Sequence, residues 1–167
     1  MSRAFVKEDG PDNTPLPDLP ISPHPNYVTP RGLQLLRDRL IACQTDLAAL
    51  KARKDRLDGL PEKAAERDIR YCEARLKSAI LTQPPAAPTA VSFGTAVTVA
   101  DPTGTETTYQ IVGEDEADAS RNLIAPQSPL ARALIGAEPG DSVTWRRPSG
   151  PIELEILAIR AIEGTDP

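Results

Sequence analysis

This 167-residue sequence contains few of the residues that most often act as nucleophiles or general bases, with one histidine and two cysteines. Its one histidine, His24, lies in a proline-rich segment, so no zinc site and no Ser-His-Asp arrangement can be built around it. The two cysteines, Cys43 and Cys72, are read as small buried core residues, because free cysteine is usually buried. The sequence therefore predicts neither a stably bound metal nor an enzyme.

Carboxylates are the side chains whose spacing matters most. Asp55, Asp58 and Glu62 flank a Gly-Leu-Pro turn at residues 59–61. From the residues alone, Asp58 and Glu62 cap this turn and the start of the helix that follows it, where acidic groups suit the helix dipole. These three acids are the first candidate site.

A second acidic run consists of Glu114, Asp115, Glu116 and Asp118. It is either a solvated loop, the default reading for a charge run, or a contact for a partner. Residues 29–83 carry twelve basic and eight acidic groups, whereas residues 84–167 carry five and twelve. This asymmetry fits either an ordinary solvated helix surface or a basic segment that is steered toward nucleic acid or an acidic channel.

Residues 29–83 have the periodicity of two helices that fold back on each other. Their seam residues recur at a 3-4-3-4 spacing, as in the a/d seam of a left-handed coiled coil. The first seam comprises Leu33, Leu36, Leu40, Cys43, Leu47, Leu50, Lys54 and Leu57, and the second Glu62, Ala65, Ile69, Cys72, Leu76 and Ala79. A reversal between Gly59 and Leu60 sets Leu50 opposite Ile69. Because the two seams satisfy each other within one chain, we expect a monomer.

Capping residues predict where these helices begin and end. Thr29 is the N-cap of the first helix and Pro30 its first residue. Gly59 ends that helix with a positive φ, and Pro61 suits the first turn of the second. The second helix ends before a stiff proline linker at residues 84–89.

The flanking segments are predicted to be an arm and a small domain. Residues 1–28 hold six prolines and should form an extended or disordered arm. Residues 90–163 change to a period of two and predict an antiparallel sheet around one short helix, which Ser128 caps and Pro129 begins. The expected strands are 91–99, 106–112, 122–125, 143–146 and 152–162. The predicted fold class is α+β.

Membrane and export signals are missing from the sequence pattern. No run approaches the ~20 apolar residues of a membrane span. The N-terminal residues lack the apolar core of a signal peptide, so we expect a cytoplasmic location and no membrane partner.

Three segments of the second half resemble the C-terminal domain of the GreA/GreB transcription elongation factors. They are Tyr109–Asp118, Ser128–Gly136 and Gly140–Asp141. Tyr27–Leu33 is similar to the opening of that family's coiled coil. The resemblance covers residues 27–162 and implies an antiparallel coiled-coil hairpin followed by an FKBP-like domain.

The resemblance also implies a function. Gre factors bind RNA polymerase at its secondary channel, where nucleic acid is close by, and need no cofactor of their own. The C-terminal domain docks at the channel rim, here through residues 114–118 and Ser128-Pro129. Acids at the hairpin tip, here Asp55, Asp58 and Glu62, help hold a second Mg²⁺ at the polymerase active site and so stimulate cleavage of backtracked RNA.

The tip departs from the family pattern. Gre tips resemble Gly-Asp-x-x-Glu-Asn, whereas here Asp58 and Glu62 are four apart and no asparagine follows. Residues 67–69 resemble a GreB segment that lies further from the tip, so both arms are shorter by about one to two turns of ~5.4 Å each. Metal coordination tolerates only a few tenths of an ångström. We therefore predict polymerase binding with weak or absent cleavage stimulation.

Other functions stay open at this stage. A shortened Gre-like factor could inhibit true Gre factors, or act as a regulator of the nucleoside diphosphate kinase type. An FKBP-like domain also suggests a peptidyl-prolyl isomerase, but its usual aromatic lining would have to come from Phe93, Tyr109 and Trp145 alone. A coiled-coil dimerisation module is disfavoured, because the turn at residues 59–61 interrupts the heptads.

Overall fold

The computed structural model describes residues 13–55 and 58–163. Within them, two helices precede a curled mixed sheet, which is an α+β arrangement as predicted. Helix α1 spans Pro30–Lys51 and helix α2 spans Leu60–Ser78. In the part of the chain so described, no helix is long and apolar enough to cross a membrane.

A pair of two-residue strands closes the base of the two helices. Strand β1 (Tyr27–Val28) comes just before α1, and strand β2 (Ile80–Leu81) comes just after α2. The two strands pair in parallel, with Tyr27 opposite Ile80. The sequence pattern predicted neither strand, because two residues are too few to show a period.

Helices α1 and α2, together the helical pair, run antiparallel and contact each other. The Nζ atom of Lys51 lies 3.1 Å from Oε1 of Glu66, and the guanidinium of Arg39 lies 5.3 Å from the ring centre of Tyr71. Cys72 is fully buried and Cys43 half-buried, and both thiols are free. Burial raises the pKa of the Cys72 thiol.

The turn between the helices differs from the prediction. Helix α1 ends at Lys51, well before Leu57, which lies outside the described residues. Residues 51–55 are exposed, and a helical end that buries no apolar side chain is marginal in water. Gly59 is the N-cap of α2 with a φ of −84°, so the positive φ predicted there is wrong.

The pairing of the two helices shifts as a result. The predicted reversal sets Lys51 opposite Asp68 and Arg39 opposite Ile80. The observed partners, Glu66 and Tyr71, both lie closer to the turn along α2. The prediction placed the reversal too late because it extended the first helix to Leu57, whereas α1 ends at Lys51.

The C-terminal sheet has the strand order β5-β4-β3-β7-β6. Its strands are β3 (Thr95–Ala100), β4 (Glu106–Ile111), β5 (Leu123–Ile124), β6 (Ser142–Arg147) and β7 (Gly150–Ala161). The predicted antiparallel pairing is wrong at one edge, where β4 and β5 pair in parallel. The long connection between them, with a 3-10 helix at Ala119–Arg121, returns the chain to the end of β4 where that strand began.

The short helix of this half, α3 (Pro129–Leu134), begins as predicted. The Oγ atom of Ser128 accepts a hydrogen bond from the Ala131 N–H at 3.3 Å, and Pro129 lies in the first turn. Helix α3 and the sheet enclose the core, whose buried members are Val91, Val97, Val99, Ile111, Leu130, Ala131, Leu134, Ala137, Leu154 and Ile156. Strand β3 was predicted to begin at residue 91 but begins at Thr95. The backbone of Val91 instead bonds to that of Gly136 and Ala137.

Residues 13–26, here called the N-terminal arm, contain no helix and no strand. This agrees with their prolines, which remove backbone donors and fix φ. The division of the chain into separate domains at residues 28, 83 and 90 stays a prediction.

Candidate functional site

The turn acids lie at the end of the helical pair that is remote from the sheet. Asp58 is exposed, and its Oδ1 accepts a hydrogen bond from the Leu60 N–H at 2.9 Å. Asp58 thus bonds to the first residue of α2, although the N-cap itself is Gly59. Asp55 is exposed as well, but Glu62, in the first turn of α2, is only 8% exposed. Among the described residues, no cluster of three or more acidic, histidine or cysteine side chains is arranged to hold a metal ion.

At the other end of α2, one buried arginine joins the helical pair to the C-terminal sheet. The Arg75 side chain is only 2% exposed. Its Nε donates to Oδ2 of Asp115 at 2.6 Å, and its Nη2 donates to Oδ1 of Asn26 at 2.7 Å and to Oε2 of Glu114 at 3.2 Å. The Tyr71 hydroxyl donates to the other oxygen of Asp115 at 2.5 Å. We call this cluster the junction.

The junction keeps its charges because they are paired. Burial raises the pKa of Tyr71 to about 12, with the hydrogen bond to Asp115 as the next cause. Burial disfavours the Arg75 cation, but the hydrogen bond and charge of Asp115 outweigh it and leave the pKa of Arg75 above its ordinary value. Removing one partner of such a buried pair leaves an uncompensated charge and is strongly destabilising.

Glu116 binds the start of α1. It is 6% exposed, and its Oε2 accepts a hydrogen bond from the Thr29 hydroxyl at 2.5 Å. The same hydroxyl accepts the Gly32 N–H at 2.9 Å, which confirms Thr29 as the N-cap. Arg31 lies 3.9 Å from the other carboxylate oxygen. A carboxylate in this place is stabilised by the positive end of the helix dipole.

Two glycines allow the close approach of helix and sheet. A Cβ atom on Gly32 would lie 2.8 Å from Oε2 of Glu116, and one on Gly113 would lie 2.6 Å from the Tyr27 carbonyl oxygen. Both distances are shorter than a carbon atom tolerates. The segments Tyr27–Leu33 and Tyr109–Asp118 therefore pack directly against each other.

The C-terminal part of the chain matches a family of known proteins. Residues 86–161 match the family described as "Transcription elongation factor, GreA/GreB, C-term". This part of the chain is similar to the GreA/GreB C-terminal domain. The matched residues include Glu114 and Asp115, which are two of the five junction residues.

Curated relatives of the chain are transcription elongation factors named GreA. The chain is 47% identical over 95 residues to GreA of Alkalilimnicola ehrlichii, a match that covers 55% of this chain and 60% of that protein. It is 47% identical over 100 residues to GreA of Pseudomonas aeruginosa, with coverage of 58% and 63%. The chain thus spans less than two thirds of the length of these relatives.

Solved structures of Gre-related proteins also align with this one. Gfh1 of Thermus aquaticus aligns with a TM-score of 0.41 and 25% identity, over 81% of this chain and 98% of that chain. A GreA factor homolog, Gfh1 of Thermus thermophilus, gives a TM-score of 0.40 and 24% identity, over 83% and 100%. TM-scores at this level support no conclusion about fold or function.

The acidic run is bonded mostly within the chain, with Glu116 buried and Glu114, Asp115 and Asp118 half-buried. Reading Glu114, Asp115 and Glu116 as a solvated loop is wrong, because Arg75, Ser22 and Thr29 engage them. Asp118 instead caps the 3-10 helix by accepting from the N–H and hydroxyl of Ser120, and the hydroxyl bond is the main cause that lowers the pKa of Asp118. Direct contact of these acids with RNA polymerase stays a prediction.

Ser128 and Pro129 lie apart from the junction in sequence, at the start of α3. Pro129 is exposed, while Ser128 is half-buried and donates its hydroxyl to the Ala125 carbonyl at 2.8 Å. The sequence reasoning did not single out Arg75, Asn26 or Tyr71. The one signal in the sequence for this cluster was the position of Arg75, which lies next to the predicted seam residue Leu76.

Proposed function

We propose that this protein is a Gre-type regulator of transcription elongation that binds RNA polymerase at its secondary channel and is not itself an enzyme. The observation that carries the proposal is the match of residues 86–161 to the GreA/GreB C-terminal domain, together with their link through Arg75 to a helical pair. In this proposal the helical pair is a coiled coil that enters the channel. The C-terminal sheet, an FKBP-like domain, docks at the rim through Ser128-Pro129.

The helical pair extends the turn acids away from the sheet. Arg75 and the start of α2 at Leu60 are fifteen residues apart, which is about 22 Å along an α-helix. A protein in which the C-terminal sheet held the rim would therefore project Asp55 and Asp58 into the channel by about that length. The buried junction keeps the projection in one direction, which a channel of fixed shape requires.

We further propose that the turn stimulates transcript cleavage weakly or not at all. Mg²⁺ requires carboxylate oxygens about 2.0–2.1 Å away in near-octahedral geometry. Asp58 already accepts the Leu60 N–H, and Glu62 is only 8% exposed. The early end of α1 at Lys51 shortens the ordered helical part further. A factor of this kind occupies the channel without completing the metal site, and so competes with a cleaving Gre factor.

The isomerase alternative gains no support. Its candidate pocket aromatics, Phe93, Tyr109 and Trp145, pack against the core of the C-terminal sheet. These three are the only aromatic residues between positions 90 and 163, fewer than the usual aromatic lining of an isomerase pocket.

The proposed function is tested by binding of the full chain to purified bacterial RNA polymerase. We expect saturable binding that is lost in competition with GreA of Pseudomonas aeruginosa, because both would occupy the same channel. Pro129→Glu should weaken binding, since it places a charge on the exposed start of α3. Pro102→Glu, at an exposed turn, is the matched control. Absence of binding, or binding that GreA does not displace, would contradict the proposal.

A further inference from the structure

The N-terminal arm has the pattern of a polyproline II helix. Every residue from Thr14 to Pro25, except Asp18 and Ile21, is a proline or precedes one, and both situations favour this conformation. A polyproline II helix has three residues per turn, so every third residue lies on the same face. In the arm the half-buried residues are Leu16, Leu19 and Ser22, and the others from residue 13 to residue 25 are exposed. One face of the arm is therefore packed on the protein.

The packed face contacts α2 first. The Nε atom of Arg70 donates to Oδ1 of Asp18 at 2.6 Å, and its Nη2 donates to the Leu16 carbonyl at 2.9 Å. Asp18 is 74% exposed and Arg70 38% exposed in their side chains. Exposed ion pairs contribute little to stability, so this end of the arm can detach without unfolding the protein.

Further along, the arm contacts the loop after β4 and the junction. The Ser22 hydroxyl donates to Oε1 of Glu114 at 2.9 Å. Asn26 donates its Nδ2 to the Arg75 carbonyl at 2.8 Å and accepts from the Arg75 side chain. The arm thus bonds to α2 on one side of the junction and to the loop after β4 on the other.

We propose that residues 16–22 form a detachable brace that fixes the angle between the helical pair and the C-terminal sheet. The prolines lower the conformational entropy that docking removes, so a few weak contacts hold the arm. When the arm is released, the buried Arg75 still joins the helical pair to the C-terminal sheet. The two parts have then lost the additional attachment that the arm provides. The brace concerns the geometry of this chain and does not depend on polymerase binding.

The test replaces Asp18 with arginine in the full chain, which sets two cations against each other. The swapped pair Asp18→Arg with Arg70→Asp restores opposite charges. Asp46→Arg makes the same charge change at an exposed position of α1 and is the control. The amide NMR chemical shifts of Leu16, Leu19 and Ser22 measure docking. A spin-label distance between Gln44→Cys and Glu138→Cys, with Cys43 and Cys72 replaced by alanine, measures the angle.

The brace predicts that Asp18→Arg lowers the equilibrium constant for docking of the arm by about 2- to 5-fold, the range expected for losing an exposed ion pair. It also predicts a broader spin-label distance distribution, and the swapped pair should restore both readings. Three results would overturn the proposal: arm release with an unchanged distance distribution, an equal effect of Asp46→Arg, or failure of the swapped pair to restore docking.

Discussion

The Nε atom of Arg75 lies 2.6 Å from Oδ2 of Asp115, and this buried ion pair connects the second helix to the loop that follows β4. The two residues are 40 positions apart in the sequence. Asp115 also accepts the Tyr71 hydroxyl, so both of its oxygens face α2. Asp115, which the sequence suggested as a contact for a partner, is therefore already bonded on both oxygens within the chain.

Arg75→Ala should lower the free energy of unfolding by about 3–5 kcal/mol, because it leaves Asp115 buried without its cation. Arg37→Ala, at an exposed position of α1, should stay within about 0.5 kcal/mol of the natural protein. Chemical denaturation measures both. Equal losses in the two variants would show that the Arg75 pair does not hold the junction.

Gly113→Ala should destabilise the protein by about 1–3 kcal/mol, the range for overpacking at a close contact. Its Cβ would lie 2.6 Å from the backbone carbonyl of Tyr27, which cannot move away without shifting β1. Gly32→Ala should cost less, because its Cβ meets the end of the flexible Glu116 side chain and alanine favours the helix. Thermal unfolding of the two variants gives the order, and the reverse order would contradict this packing.

Leu36→Ala should cost about 2–4 kcal/mol, because Leu36 is the most buried leucine of the predicted seam on α1, at 2% exposed. Its neighbour Leu35 is 43% exposed, and the same substitution there should cost about 1 kcal/mol or less. Denaturant midpoints at unchanged slope compare the two. A larger loss at Leu35 would mean that α1 presents another face to α2.

The Tyr71 phenol should titrate near pH 12, because burial and the hydrogen bond to Asp115 raise its pKa. A raised pKa in the folded state means that the folded chain holds the proton longer than the unfolded chain. The stability from this group is therefore complete below about pH 10, the ordinary tyrosine pKa, and is lost as the pH rises toward 12.

The ultraviolet absorbance of the phenolate measures this pKa, with Tyr71→Phe as the difference control. Asp115→Asn should lower the pKa of Tyr71, because it removes the charge that opposes ionisation. An unchanged pKa in Asp115→Asn would show that the carboxylate does not act on the phenol.

The features that the sequence predicted well are local ones. Thr29 with Pro30, and Ser128 with Pro129, mark the starts of α1 and α3, because an N-cap satisfies N–H groups only two or three residues away. The alternation in residues 95–100 and 106–111 repeats every two residues, and it predicted β3 and β4.

The features that it missed depend on distant contacts. Helix α1 ends at Lys51, eight residues before the glycine at position 59. The burial of Arg75 depends on Asn26 and Asp115, 49 and 40 positions away, and a charged residue is assigned to the surface by default. For the same reason Glu116 was read as part of a loop instead of as the carboxylate that binds the start of α1.

Transcript cleavage on a stalled, backtracked elongation complex tests the central claim most directly. The account predicts little or no cleavage by the natural protein, and inhibition of a cleaving Gre factor when this protein is in excess. The double change Asp58→Ala and Glu62→Ala should leave that inhibition nearly unaltered. Robust cleavage by the natural protein that the double change abolishes would contradict the account and assign these two acids to the magnesium site.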